Sequence, residues 1–334
     1  MRRYTIACLL AWTSQTILAI EPLPKESGWH GYISPNLSAL SFRDNLVAGA
    51  GSLDIGSKRI ESLSDKPDKE STGALSLAGE VGYAFAEPGV YLFLGNRLED
   101  FLRLDNSSAL GARMDLDRLG ILEASALFSS VPTEVWADPF LTGADREETD
   151  RTSSGARLGL ARIFGTRLEA QVTVRKVELD DERSGESLDL SATERALLAR
   201  DGDAARLEIL YTWVLNDRHV LIPSVDVGTY DADGDANSRD GAGVQLTHAY
   251  RQGRYRLVSN LALRQTSFDE ANPVFDRKQD EDEVVLSTTG FYAGLFNLPR
   301  LSGMASLLYA KRDSRITFFD SEATVASLGV LYTF

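Results

Sequence analysis

The chain has 334 residues, of which 43% are hydrophobic, and it carries a formal net charge of −14. This negative charge excludes the basic surface that binding to nucleic acid requires. The single cysteine, Cys8, lies near the start. The sequence therefore predicts neither disulfide bonds nor cysteine-based metal sites in the remainder of the chain.

Residues 1–19 have the pattern of a secretory signal peptide. Arg2 and Arg3 supply positive charge, residues 6–18 are mostly apolar, and Ala19 is a small residue at a suitable cleavage point. The apolar stretch is too short and too polar to span a membrane as a helix. No run of about 18 apolar residues follows it, so we expect no transmembrane helix. Residues 20–334 are predicted to form one domain.

Alternation of apolar and polar residues predicts about 14 β-strands, with 12 as the alternative count. Short turns and long polar loops alternate between them. Outer-membrane barrels have short periplasmic turns and long extracellular loops. The predicted fold is therefore an all-β antiparallel transmembrane β-barrel in the bacterial outer membrane, with both termini in the periplasm. Its strands are expected at residues 29–42, 72–85, 90–95, 108–116, 120–128, 153–163, 167–179, 204–213, 220–230, 242–250, 254–268, 284–295, 301–312 and 322–334.

The final strand is apolar at every second position and ends on an aromatic residue. Val330, Tyr332 and Phe334 belong to this stripe. A transmembrane barrel can end in this way because its last strand pairs with the first and its outer face meets lipid. The alternative is an ordinary C-terminal edge strand. The same three residues resemble the signal by which the barrel-assembly machinery recognises outer-membrane proteins.

Each predicted strand has one apolar face and one polar face. In strand 167–179, for example, Val172 and Val174 alternate with Glu169 and Arg175. Charges facing lipid would cost several kcal/mol, so the polar face is assigned to the lumen. Rings of luminal charge set ion selectivity. The lumen-lining candidates are Arg113, Glu123, Arg157, Glu169, Arg175, Arg206, Glu208, Arg254, Arg256 and Arg264.

Two functions fit such a barrel. One is a passive, porin-like channel for small hydrophilic solutes, with a lumen lined by arginine and acidic residues. The alternative is a closed structural or interaction barrel whose acidic extracellular loops bind lipopolysaccharide, divalent cations or a partner. We expect a monomer. We expect no enzyme and no catalytic residues, because His30, His219 and His248 show no pairing with a serine or aspartate that would suit catalysis.

One acidic loop suggests a metal ion. Asp231, Asp233, Asp235 and Asn237 alternate around Gly234, and such oxygen ligands suit Ca²⁺. The bidentate glutamate of an EF-hand and its flanking helices are missing. An Asp/Gly-rich hairpin loop is therefore the alternative interpretation, and no other cofactor is predicted.

Five loop segments carry a family resemblance: residues 58–63, 136–150, 180–185, 271–275 and 316–320. Together they resemble a family of Gram-negative outer-membrane proteins known only as a domain of unknown function and frequent in marine bacteria. The resemblance implies an outer-membrane barrel. It implies no substrate and no catalytic residues.

Overall fold

Strands make up most of the computed structural model, which describes residues 20, 23–50, 53–96 and 106–334. The predicted signal peptide, residues 1–19, lies outside the described residues. The strands are β1 (Gly28–Arg43), β2 (Val47–Ala50), β3 (Leu53–Asp54), β4 (Glu70–Phe85), β5 (Val90–Asn96), β6 (Asn106–Asp115), β7 (Ile121–Val131), β8 (Thr133–Trp136), β9 (Glu148–Ala161), β10 (Leu168–Leu179), β11 (Gly202–Tyr211), β12 (Trp213–Val214), β13 (His219–Ala232), β14 (Arg239–Gln252), β15 (Tyr255–Phe268), β16 (Glu281–Ala293), β17 (Leu301–Ser314) and β18 (Ser321–Thr333).

Helical structure is scarce. One short α-helix, α1 (Ala192–Ala196), lies in a loop, and Ile163–Gly165, Leu295–Asn297 and Thr317–Phe319 form single 3₁₀ turns. Among the described residues, no helix is both long and apolar enough to cross a membrane.

The sheet closes on itself. β1 pairs antiparallel with β4 on one side and with β18 on the other. Four short segments, β2, β3, β8 and β12, are extensions or loop elements, and the remaining strands form a closed antiparallel wall of fourteen strands. The predicted fold and the count of 14 are therefore confirmed. Closure gives each of the fourteen described wall strands a partner on both sides, which is what a sheet surrounded by lipid requires.

Short and long connections alternate around the wall, so the barrel has a turn end and a loop end. For example, four residues join β4 to β5, whereas residues 180–201 join β10 to β11. The long connection from β1 to β4 contains β2 and β3, and β2 pairs with β8. The loop end therefore has sheet structure of its own beyond the wall.

The two faces of the wall have the chemistry that the alternation predicts. On β10, Val172 and Val174 project outward and are exposed, whereas Glu169 and Gln171 project inward and are buried. β4 repeats this pattern, because its Leu75 is exposed on the outside. Many other large apolar side chains of the wall are exposed there as well. A water-soluble protein has the opposite arrangement. The apolar exterior is the surface that a barrel offers to lipid.

Candidate functional site

One row of directly paired residues crosses the inner wall, and we call it the lumen belt. Each wall strand from β6 to β17 contributes one member, because the residues opposite one another in successive pairs all share the inward face. The members are Arg113, Glu123, Gly159, Gln171, Glu208, Asp226, Gly243, Arg264, Glu283 and Arg312. The belt therefore brings together charges that lie far apart in the sequence.

The first part of the belt is sealed. Arg113 donates to both oxygens of Glu80, at 3.0 and 2.9 Å, and to Glu123 at 2.8 Å. Its guanidinium also lies over the ring of Phe93, 4.3 Å from the centroid. The side chains of Arg113 and Glu123 are each only 2% exposed. This triad fills its side of the lumen and offers no path for a solute.

The second part of the belt is accessible to water. We call Arg206, Glu208, Asp226 and Arg264 the Asp226 cluster. Asp226 accepts a hydrogen bond from Arg206 at 2.9 Å and a second from Arg264. The side chains of Arg206, Asp226 and Arg264 are 20%, 13% and 27% exposed, although all three lie inside the barrel. Glu208 accepts from Gln171 at 3.0 Å, which joins the cluster to β10.

Two glycines make room for this cluster. A Cβ atom at Gly243 would lie 2.7 Å from Asp226 Oδ1, and one at Gly241 would lie 2.9 Å from an Arg264 Nη atom. Both distances are below ordinary contact, so a larger residue would displace the ion pair. The glycines of β14 let Asp226 of β13 and Arg264 of β15 meet across it, close to the wall.

The other predicted lumen residues take several positions. Arg157 is buried and donates to Thr173 at 2.9 Å, and Glu169 is also buried. Arg175 is half-buried and donates to Ser153 at 3.0 Å. Arg256 lies on the inner face of β15, 5.9 Å from the centroid of the Phe291 ring.

Arg254 does not lie on a wall strand, contrary to its predicted position. β15 begins at Tyr255, and Arg254 lies in the exposed turn before it. Gly253 has φ of +58°, which bends the backbone there, and β15 begins one residue later than the apolar pattern suggests. Arg254 therefore belongs to the turn end.

A wall of small polar side chains, which the sequence interpretation did not single out, lies elsewhere in the lumen. Ser38 and Ser327 hydrogen-bond across β1 and β18 at 2.7 Å. Asn260 accepts from Thr247 at 2.6 Å and donates to Ser287 at 3.0 Å. We call these residues the hydroxyl wall. Period-2 alternation places these residues on the inward face, but an uncharged side chain does not stand out in the sequence as a selectivity candidate.

The loop end is covered by a hydrophobic core built from five loops, which we call the cap core. The rings of Phe140 and Phe318 have centroids 5.4 Å apart, and the ring of Phe275 lies 5.5 Å from that of Phe318. Phe318 is completely buried. The buried members are Ile60, Phe140, Leu198, Ile316, Phe318 and Phe319, with Phe275 packed against them.

Polar side chains tie the same loops together. Asn45 donates to the carbonyl of Phe318 at 3.1 Å. Asp138 accepts from the backbone N–H of Gly185 at 3.0 Å. Arg200 donates to the carbonyl of Ala137 at 3.0 Å and pairs with Glu182. The Asn45 contact joins the β1–β4 connection to the β17–β18 connection, and the contacts of Asp138 and Arg200 join the segment between β8 and β9 to that between β10 and β11.

Arg146 lies at the centre of this polar network. Its guanidinium donates to the carbonyls of Asn45 and Ser57, which lie in another loop, and it lies over the Trp136 ring at 4.4 Å. Burial lowers the pKa of Arg146 to about 10, although the carboxylates of Asp44 and Asp138 act to raise it. The side chain therefore remains a cation at neutral pH and ties its own loop to the backbone carbonyls of another.

Comparison with known families assigns the chain. A family described as "Protein of unknown function (DUF2860)" matches residues 28–333, which is almost the whole barrel. This chain belongs to the DUF2860 family. The resemblance drawn from the loop segments is confirmed at this level. No curated protein matches the DUF2860 chain.

Several solved outer-membrane proteins have a similar outline. A Pseudomonas aeruginosa FadL homologue is 14% identical, covers 91% of the DUF2860 chain and 90% of its own, and has a TM-score of 0.49. The outer membrane channel DcaP of Acinetobacter baumannii is 10% identical over 92% and 97% of the two chains, with a TM-score of 0.45. OmpT, an outer membrane protein of Vibrio cholerae, is 11% identical over 93% and 99%, with a TM-score of 0.44. Sequence identities and TM-scores this low do not allow a function to be transferred from these proteins to the DUF2860 chain.

The predicted calcium ligands of the DUF2860 chain do not converge. Asn237 donates its amide to the carbonyls of Leu198 and Ala199, at 2.9 and 3.1 Å, and so faces the neighbouring loop. In the part of the chain that the structure describes, no three acidic or histidine side chains form a group that could hold a metal ion. Calcium binding by Asp231, Asp233 and Asp235 stays a prediction without support from this geometry.

The predicted assembly signal lies at the seam of the barrel. Tyr332 pairs with Ile33 of β1, and Phe334 exchanges backbone hydrogen bonds with Gly31 at 3.2 and 3.0 Å. Val330 and Tyr332 share the outward face of β18 with exposed Leu328. Recognition of these residues during assembly stays a prediction.

A histidine pair was missed by the sequence interpretation. His219 Nδ1 and His248 Nε2 lie 3.0 Å apart on the outer face of β13 and β14. Their ring centroids are 5.3 Å apart and the planes differ by 11°, so the rings are nearly parallel and the two nitrogens lie at hydrogen-bonding distance. The pairing depends on strand register, because His219 lies opposite Tyr250 and His248 lies opposite Leu221.

Proposed function

We propose that this chain is an outer-membrane channel of a Gram-negative bacterium that passes small hydrophilic solutes by diffusion. The short turns would face the periplasm, the long loops the exterior, and both termini the periplasm. The apolar outer wall supports this placement. During biogenesis the chain would be a client of the barrel-assembly machinery, and its acidic loops would lie next to lipopolysaccharide.

One observation carries the channel proposal: charges inside the same barrel differ in their access to water. The Arg113 triad is sealed, but the side chains of the Asp226 cluster are 13–27% exposed. If these charges served only to hold the strands together, both the Arg113 triad and the Asp226 cluster would be expected to be buried from water. We assign the solute path to the water-accessible space beside the Asp226 cluster. This space lies between the Arg113 triad and the hydroxyl wall.

The nature of this path favours small polar solutes. Both signs of charge are present in the Asp226 cluster, so neither anions nor cations are strongly excluded. The hydroxyl wall offers hydrogen-bond donors and acceptors without charge. Arg206 and Arg264 are the residues we expect to bias selectivity, because each is a permanent cation with partial access to water.

The test is ion selectivity in a planar bilayer under a salt gradient. Replacing Arg206 and Arg264 together by Glu reverses two charges beside the path. At about 1 kcal/mol per charge at 4 Å in water, this should shift the permeability ratio toward cations roughly fivefold or more. Lys176→Glu is the matched control, because its side chain is 60% exposed on the outer face of β10. Equal reversal potentials for both variants would refute the assigned path.

A second candidate function is a closed interaction barrel that binds a partner or lipopolysaccharide through its loops. The cap core favours it, because five loops packed as one unit present a fixed outer surface. Steady conductance of the folded wild-type protein would support the channel. Silence, both from the wild type and from a variant whose cap core has been loosened, would support the interaction barrel.

A further inference from the structure

A continuous band of uncharged polar side chains crosses the inner wall from β14 to β1. The hydroxyl wall supplies the two ends of this band, and Thr289 of β16 and Ser306 of β17 join them. Thr289 lies directly opposite Ser306, which lies directly opposite Ser327. Thr289 shares the inward face of its strand with Glu283 of the lumen belt, and Ser306 shares that of Arg312, because an even number of steps separates each pair. Six neighbouring strands therefore present neutral hydrogen-bonding groups to one side of the lumen.

The residues that frame this band are apolar. Every member of the band is a serine, threonine or asparagine. Toward the loop end, a row with Ala262, Val285 and Ala310 separates the band from the lumen belt. Toward the turn end, Phe291 and Met304 follow on β16 and β17. Hydroxyl groups framed by apolar groups match a solute that carries many hydroxyls on a carbon skeleton.

The centre of the band has hydroxyls with unused hydrogen-bonding capacity. Thr289 and Ser306 are half-buried, and in the ranges that the structure describes neither side chain forms a hydrogen bond or is sealed from solvent without one. Beside them, Ser287 accepts from Asn260 at 3.0 Å, and its own proton is donated to none of the described residues. A hydroxyl can donate one hydrogen bond and accept two. These three hydroxyls are therefore available to a solute.

The lumen is open at both edges of the band. Gln245 of β14 and Ser76 of β4 are exposed, although both lie on the inward faces of their strands. Gln245 donates to Thr247 at 3.1 Å. Ser76 lies directly opposite Asn36, which is two residues from Ser38 on β1. Exposed residues on inward faces show that the opposite wall does not fill the space in front of them.

We propose that the hydroxyl wall, together with Thr289 and Ser306, is a binding track for uncharged polyhydroxy solutes, that is, polyols and monosaccharides. As a step in transport, this proposal rests on the channel function proposed above. A side-chain hydroxyl can rotate to donate or to accept, and so can each hydroxyl of the solute, so the solute finds partners along the band without one fixed orientation. Single neutral hydrogen bonds are weak, which allows the solute to leave again, as permeation requires.

The test compares two uncharged probes of similar size. Sorbitol carries a hydroxyl on every carbon, whereas tetraethylene glycol carries hydroxyls only at its ends. We measure binding of each probe to the folded protein in detergent by a saturation-transfer NMR titration. We measure entry of each probe into proteoliposomes by the rate of swelling.

Two double variants give a matched comparison. Thr289→Val/Ser306→Ala removes the two central hydroxyls of the band and changes side-chain volume little. Ser259→Ala/Thr288→Val is the control, because it removes the same residue types from the outer face of β15 and β16, where their hydroxyls lie 2.9 Å apart. The control thus changes the same region of the wall without reaching the lumen.

We expect Thr289→Val/Ser306→Ala to bind sorbitol about fivefold or more weakly than the wild type, because two hydrogen bonds to the solute are lost. Below saturation, its sorbitol entry should also fall severalfold relative to tetraethylene glycol entry. Ser259→Ala/Thr288→Val should match the wild type in both measurements.

The outcomes separate the track from the channel. A wild type that binds no sorbitol, or a lumen variant that binds it as well as the wild type, would overturn the track, and uptake of both probes would then leave the channel standing. An equal loss of binding in the outer-face control would also overturn the track. If only the lumen variant loses binding but neither probe enters the liposomes, the track stands as a binding site and the channel function is wrong.

Discussion

Arg113 and Glu123 lie directly opposite each other on β6 and β7, and their side chains meet at 2.8 Å with 2% of each exposed. Glu80 binds the other edge of the same guanidinium at 2.9 and 3.0 Å. Removing one member of such a group leaves a buried charge without its partner, which costs far more than the pair contributes as a whole. This relationship fixes one side of the barrel.

Replacing Arg113 by Met should lower the free energy of unfolding by about 3–5 kcal/mol, because Glu80 and Glu123 would stay buried without their cation. The measurement is urea unfolding of the protein refolded into lipid vesicles. Lys176→Met is the control, since its ion pair with Glu178 is exposed and should contribute little to stability. Similar losses for both variants would contradict a special role for the buried triad.

Asp226 should control selectivity in the opposite sense from its arginine partners. In Asp226→Asn, Arg206 and Arg264 lose their shared counter-charge while they remain in contact with water. The reversal potential in a salt gradient should therefore move toward anions. Asp313→Asn removes an exposed charge that pairs with Lys311 and should leave selectivity unchanged. A cation shift in Asp226→Asn would contradict our assignment.

The cap core should unfold without the wall. Phe318 is fully buried among Phe140, Phe275 and Phe319, and truncating a buried Phe to Ala costs about 3–5 kcal/mol. We expect Phe318→Ala to expose the loops to limited proteolysis while heat-resistant barrel mobility on gels is kept. The matched control is Phe296→Ala, because Phe296 is 81% exposed in a turn. A cap that resists protease as well in both variants would show that the aromatic core does not hold the loops.

Helix α1 should loosen in acid. Ser191 caps it, and Glu194 accepts from the Ser191 hydroxyl at 2.6 Å and from its backbone N–H at 2.7 Å. These hydrogen bonds lower the pKa of Glu194, the hydroxyl contributing most. The resulting stabilisation is complete above the unfolded-state pKa and is lost as the pH falls through the folded-state value.

Hydrogen exchange at residues 192–196 is the corresponding measurement. Protection should fall as the pH is lowered below about 4, the usual range for a glutamate. Glu194→Gln should start with less protection and should lack this pH response. An identical acid response in both proteins would assign the effect to another carboxylate.

The wall was accessible to sequence interpretation because its signal is local. Each strand repeats every second residue, so Val172 and Val174 could be placed outside and Glu169 inside without knowledge of any partner. Orientation follows from the alternation, but the partners of each charge do not. Asp226 on β13 and Arg264 on β15 meet across β14, where Gly243 lies between them. Such a contact depends on strand register and on the fact that Gly243 has no side chain.

The cap could not be predicted, for a different physical reason. Phe140 and Phe318 come from irregular loops whose apolar residues follow no period, and they meet only because the barrel brings their strands into one ring.

The cap core also sets an order of assembly. Its residues range along the chain from Ile60 to Phe319, and none of the five loops can bury its apolar side chains alone. The final contributors, Phe318 and Phe319, come between β17 and β18, the last two strands. The cap core is therefore completed late in biogenesis. Its last residues are added only when nearly the whole chain is present and β18 is about to pair with β1.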